Sequence, residues 1–117
     1  ADFNNDGSVD IAVAVLDEAP LLLINQPLAG QNWLWVKLVG TKSNRSGVGA
    51  RVIVKCGSET QTREIKAGGS FASSSDVRAH FGLGACRQVD EMLVRWPSGT
   101  VSTLKGVAAG QVVTVKE

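Results

Sequence analysis

The sequence predicts an all-β protein: an antiparallel β-sandwich or jelly-roll-like barrel, preceded by a calcium-loop hairpin. Three observations carry this expectation. Glycine and proline break the chain roughly every ten residues, the cadence of short strands joined by turns. The segments between the breaks are rich in Val, Leu, Ile, Thr and Trp, and none keeps a helical period over three turns. The opening stretch, Asp2-Phe3-Asn4-Asn5-Asp6-Gly7-Ser8-Val9-Asp10, alternates oxygen-bearing side chains and runs directly into a β-branched segment.

The elements follow in order. Asp10 to Leu16 reads as a strand, joined through Asp17-Glu18-Ala19-Pro20 to a second at Leu21 to Asn25. Gln26 to Gln31 is turn-rich and forms the domain boundary, with residues 1–30 on one side and 31–117 on the other. A single hairpin is too little to stand alone. Trp33 to Val39 is an apolar strand interrupted by Lys37, with Trp33 and Trp35 on one face because side chains repeat with period two. Gly40 to Gly49 is a polar, glycine-rich loop containing the triplet Asn44-Arg45-Ser46, which satisfies the N-glycosylation pattern. Ala50 to Cys56 alternates, with Val52 and Val54 on one face, and Gly57-Ser58 is a hairpin turn. Glu59 to Lys66 is charged enough to be an edge, since Arg63, Glu64 and Lys66 deter pairing with foreign chains. His80 to Gly84 is a short strand or bulge, and Val89 to Trp96 a strand with Met92, Val94 and Trp96 on one face. Pro97-Ser98-Gly99 turns into Val101 to Leu104, and Val112 to Val115 completes the set. Seven or more short strands of this kind make a sandwich or barrel.

The opening loop has the chemistry of a Ca²⁺ site. Asp2, Asn4, Asp6 and Asp10 offer side-chain oxygens at its first, third, fifth and ninth positions, Ser8 offers its carbonyl, and Gly7 permits the sharp turn. Ca²⁺ takes six to eight such oxygens. Three carboxylates so close together repel one another unless a cation or solvent neutralises them. An EF-hand is excluded, because its twelfth position requires Glu and a following helix; here that position is Val13, within a strand. A calcium loop that enters a strand resembles the FG-GAP/VCBS repeat of extracellular β-propellers.

A second resemblance covers the rest of the chain. Asn32-Trp33-Leu34, Val36 to Gly40, Ser43 to Val52, Gln61 to Glu64, the serine-rich segment near Phe71, His80 to Gly84 and Val94 to Gly99 together resemble the ASPIC/UnbV domain. That domain follows FG-GAP repeats in secreted proteins. The two resemblances imply a non-catalytic extracellular interaction or adhesion module, the C-terminal fragment of a secreted calcium-binding propeller protein. A secreted or cell-surface parent is therefore expected, with Ala1 lying at a cut within a longer protein. Partners are expected among proteins or glycans at the cell exterior.

Composition supports an ordered domain: 44% hydrophobic and 20% charged in 117 residues. A net charge of +1 gives no reason to expect nucleic acid, and no apolar stretch reaches the roughly 20 residues that span a bilayer. Cys56 and Cys86 permit one intrachain bridge, or remain as two buried thiols. An enzyme is not expected. His80 is the only histidine; it could cluster with Asp76 and Arg78 on alternate positions, but His80 and Asp76 are read as hydrogen-bonding a turn and orienting the Phe81 to Gly84 loop. Ser73, Ser74 and Ser75 lack the strand–turn–helix setting of a hydrolase nucleophile. The alternative function is a carbohydrate-binding module that uses the Gly40 to Gly49 loop and an aromatic face of Trp33, Trp35 and Trp96; solvent exposure of those rings discriminates between the two readings. The hairpin, cut from its neighbours, is expected to pack on the sandwich or to form a homo-dimer.

Overall fold

Strands that alternate apolar and polar residues must bury one face, and here two sheets bury theirs against each other. The computed structural model describes residues 1–117. Its nine strands are β1 (Ile11–Val13), β2 (Leu21–Leu23), β3 (Asn32–Val39), β4 (Arg51–Cys56), β5 (Glu59–Glu64), β6 (Ala79–Gly84), β7 (Gln88–Arg95), β8 (Val101–Ala108) and β9 (Gln111–Lys116). One sheet has the order β6-β3-β9 and the other β5-β4-β7-β8, while β1 and β2 form a separate hairpin. The result is an all-β sandwich and not a closed barrel. One strand pair departs from the antiparallel expectation: β9 lies parallel to β3, with Leu34 opposite Gln111 and Val39 opposite Lys116.

The core is built from the alternation read in the sequence. Leu34, Val36 and Leu38 of β3, with Ala79, Phe81 and Leu83 of β6, meet Val52 and Val54 of β4 and Val89, Met92 and Val94 of β7. Trp96 and Val115 join the same cluster. Strand β5 is the edge of its sheet, as its charges predict. Immediately after it Ile65 turns inward and is buried, its amide donating to Ala50 O at 2.9 Å. The glycine-rich loop before β4 is closed by Asn44, whose side chain accepts from Val48 N and donates to Val48 O, both at 2.8 Å.

Several boundaries differ from expectation. Strands β1 and β2 hold only three residues each, paired from Ile11↔Leu23 to Val13↔Leu21. Strand β8 continues past Leu104 to Ala108. Lys105-Gly106 resembles a stop, but Gly106 sits inside the strand at φ +64, a conformation only glycine adopts without strain. At Ala109-Gly110 the chain changes sheets: Ala109 N donates to Arg87 O, and Gly110 N to Trp33 O.

The two cysteines form a disulfide, Cys56–Cys86. It joins the end of β4 to the connection between β6 and β7. Closing the 30-residue separation between them stabilises the fold by roughly 3–4 kcal/mol through the unfolded chain's lost entropy. The double variant C56S/C86S is expected to lose about that much in urea unfolding, with an unchanged midpoint counting against this contribution.

Candidate functional site

The first half of strand β3 carries large apolar side chains on both faces, and both are covered there, whereas Lys37 further along the outer face is exposed. Its inner face fills the sandwich; its outer face carries Trp33 and Trp35, and there the Asp2–Asp10 loop is seated. Trp35 is only 5% exposed. Pairing of β3 with β6 places Trp35 opposite His80 and Trp33 opposite Gly82, so the period-two faces of both strands form one platform.

Four contacts hold the loop on that platform. Trp35 Nε1 donates to Asp2 Oδ2 at 3.1 Å. His80 Nε2 lies 2.9 Å from Gly7 O; a carbonyl only accepts, so this ring nitrogen carries the proton. The guanidinium of Arg78 lies 4.6 Å from the Trp35 ring centroid and reaches Asn5 Oδ1 at 3.4 Å. Gly7, at φ +91, rests directly on the Trp33 indole: a Cβ there would fall 2.0 Å from the ring. Glycine at this position thus serves a close approach as well as a turn.

Within the loop, backbone amides are gathered by the acidic side chains. Asp2 Oδ1 accepts from Asp6 N at 3.1 Å and Asp2 Oδ2 from Gly7 N at 3.0 Å. Asn4 Oδ1 accepts from Asp6 N, and Asp6 Oδ1 from Ser8 N at 2.8 Å. The Ser8 amide, helped by Asn4, holds the Asp6 carboxyl below its ordinary range. Asp10 is 2% exposed and clasps two segments, accepting from Phe3 N and Asn25 N, each at 2.8 Å. Asp2 therefore fastens the loop to the sandwich and Asp10 ties it to the segment after β2, whereas Asn4 and Asp6 lie at its rim.

This donor set is all oxygen, which suits a hard cation such as Ca²⁺, and an ionised carboxylate keeps acceptor capacity beyond one or two amide bonds. No three carboxylate, imidazole or thiol groups stand close enough to hold an ion by themselves. The Asn4 amide and Ser8 carbonyl would have to complete the set.

Asp76, Arg78 and His80 are the cluster noted in the sequence, but they act elsewhere than expected. Asp76 accepts three hydrogen bonds from the Arg78 guanidinium, 2.6 Å at the shortest, and one from the Arg78 amide at 2.8 Å, and that pairing lowers the Asp76 pKa and raises that of Arg78. His80 turns to the N-terminal loop instead of the Phe81 to Gly84 segment. The signal for this was present as Trp-x-Trp and Arg-x-His, each a period-two pair; only the register of β3 on β6 shows that they share a face.

The family model for ASPIC and UnbV matches residues 40–117. The chain belongs to the ASPIC and UnbV family. No curated protein matches it. The matched span begins after β3 and excludes the loop, yet β3 is the middle strand of a sheet whose other two strands, β6 and β9, lie within the matched ASPIC and UnbV span. The loop's seat is accordingly half family domain, through Arg78 and His80, and half the strand before it.

Gly7→Ala is expected to lift the loop from Trp33 while keeping every candidate ligand, read as a red shift and increased acrylamide quenching of tryptophan fluorescence. Asp2→Ala strands the buried Trp35 indole N–H and two loop amides, a loss of about 1–3 kcal/mol in denaturant unfolding. Unchanged fluorescence in the first variant and unchanged stability in the second would show that the seat contributes nothing.

Proposed function

We propose that this chain is a non-catalytic extracellular interaction or adhesion module: the end of a secreted calcium-binding propeller protein. In this reading an FG-GAP/VCBS-type repeat is locked onto an ASPIC and UnbV sandwich. The observation that carries it is the β1–β2 hairpin. Ile11, Val13, Leu21 and Leu23 project to one of its faces and Ala12 and Leu22 to the other, following the register Ile11↔Leu23, Ala12↔Leu22 and Val13↔Leu21. All are exposed, Leu22 at 50%. A sheet that is apolar on both faces belongs between two other layers, as a strand pair within a propeller does. The seated Asp2–Asp10 loop holds the sandwich against such a blade.

Two further features support the reading. The Cys56–Cys86 disulfide suits an oxidising compartment. His80, the one imidazole, is engaged in holding Gly7. The carbohydrate-binding alternative rested on an aromatic platform, and its tryptophans are otherwise occupied. Trp35 and Trp96 are buried, their indole N–H groups donating to Asp2 and Ser102, while Trp33 is half-buried beneath Gly7. No helix is long and apolar enough to cross a membrane.

Ca²⁺ is proposed for the loop, held by Asp2, Asn4, Asp6, Ser8 and Asp10. At roughly 10 mM Ca²⁺ the melting temperature is expected to rise, given the weak affinities of about 10⁻⁴–10⁻³ M common in extracellular modules, and Asp6→Ala should abolish the rise. No shift in the wild type would reject the ion. In isolation the uncovered hairpin is expected to pair with a second copy. Sedimentation should show a concentration-dependent dimer that Leu22→Glu dissolves; a monomer at all concentrations with an ordered hairpin would reject this pairing.

A further inference from the structure

The loop after β3 and the turn after β7 converge on a single carboxylate beside Val39, the last residue of β3. Glu117 Oε2 accepts three successive backbone amides, Thr41 N and Lys42 N at 2.8 Å and Ser43 N at 2.7 Å. Its Oε1 accepts from Ser43 Oγ at 2.8 Å and from Ser98 Oγ. Consecutive amides aimed at one point make an anion-binding concavity, and two hydroxyls serve the second oxygen. Five donors are thus divided between the two oxygens of one carboxylate.

The concavity is organised by contacts that do not involve Glu117. Gly40 N donates to Arg45 O at 3.0 Å, and Gly47 N to Asn44 O at 2.9 Å. Asn44 is tied at both ends of its amide to Val48. Ser98 N donates to Ser43 Oγ at 3.2 Å, which joins the turn after β7 to the loop. Gly40 has no room for a side chain, since a Cβ would lie 2.2 Å from Asn44 O.

We infer that Thr41, Lys42, Ser43 and Ser98 form a carboxylate-binding cradle, filled in cis by Glu117 and able to take an external carboxylate when that side chain is absent. Partial desolvation raises the Glu117 pKa, but the Ser43 amide, the Ser98 hydroxyl, the Thr41 amide and the Ser43 hydroxyl together outweigh it and bring it to about 2. The stabilisation is therefore complete above the ordinary value of 4.5 and is lost as the pH falls through about 2.

The test is chemical rescue. Glu117→Ala is expected to lower the melting temperature at neutral pH, and sodium acetate to restore part of the loss. Acetate should also shift the amide resonances of Thr41, Lys42 and Ser43. For a dissociation constant of about 10 mM the cradle would be about nine-tenths filled at about 0.1 M acetate. Sodium chloride at equal ionic strength should do neither, and sodium sulfate shows whether a tetrahedral anion also fits. A response to acetate no larger than that to chloride would overturn the proposal. Should Glu117→Ala fail to fold, the wild-type side chain decides: a carboxyl NMR titration near 2 supports the cradle, and one near 4.5 overturns it.

Discussion

A central strand with large apolar groups on both faces must be covered twice, and β3 imposes that demand on the whole molecule. Its inner side chains, Leu34, Val36 and Leu38, are satisfied by the second sheet. Its outer tryptophans would lie bare on a two-layer sandwich, and the Asp2–Asp10 loop covers them. That cover is polar, so it needs specific partners: an indole N–H for Asp2, an imidazole for the Gly7 carbonyl, and a cation over the Trp35 ring for the rim. Water exclusion strengthens each of these contacts and makes an unpaired group costly. The loop is consequently held on the sandwich by side chains from both β3 and the family-matched segment, even though the match begins only at residue 40.

Distant segments are tied together at different places. The Cys56–Cys86 bond joins β4 to the connection between β6 and β7. The crossing at Ala109-Gly110 carries the chain from β8 in one sheet to β9 in the other, where it pairs in parallel with β3. Glu117, just beyond β9, then reaches both the loop after β3 and the turn after β7. A parallel pair cannot be joined by a tight turn. The strand β9 reaches β3 from the other sheet, and Glu117 ties its end to the loop after β3.

Legibility varied with the range of the interaction. Alternation along β4 and β7 announced which side chains would be buried, because period two is a local property of an extended chain. The charged edge strand β5 was equally plain. The long reach of β8 was not, since Gly106 looks like punctuation and is a kink inside a strand. The five oxygen-bearing positions of the loop could be listed from spacing alone. Their division of labour could not: Asp2 and Asp10 turn inward to amides and an indole, and that depends on Trp35 and Asn25, 33 and 15 residues away along the chain.

By itself the sequence determined an all-β domain, sandwich or barrel, with its core faces, its edge and the oxygen chemistry of its first ten residues, all of which follow from local conformation and side-chain type. Tertiary structure alone decided that β9 runs parallel to β3, that Cys56 and Cys86 are bonded, and that Trp33 and Trp35 seat the loop instead of facing solvent. It also decided that Glu117 fills a ring of amides and hydroxyls formed some 75 residues earlier and 19 residues earlier in the chain. Each of these depends on strand register and sheet order, which are set by the summed packing of distant segments and leave no signature in any one of them.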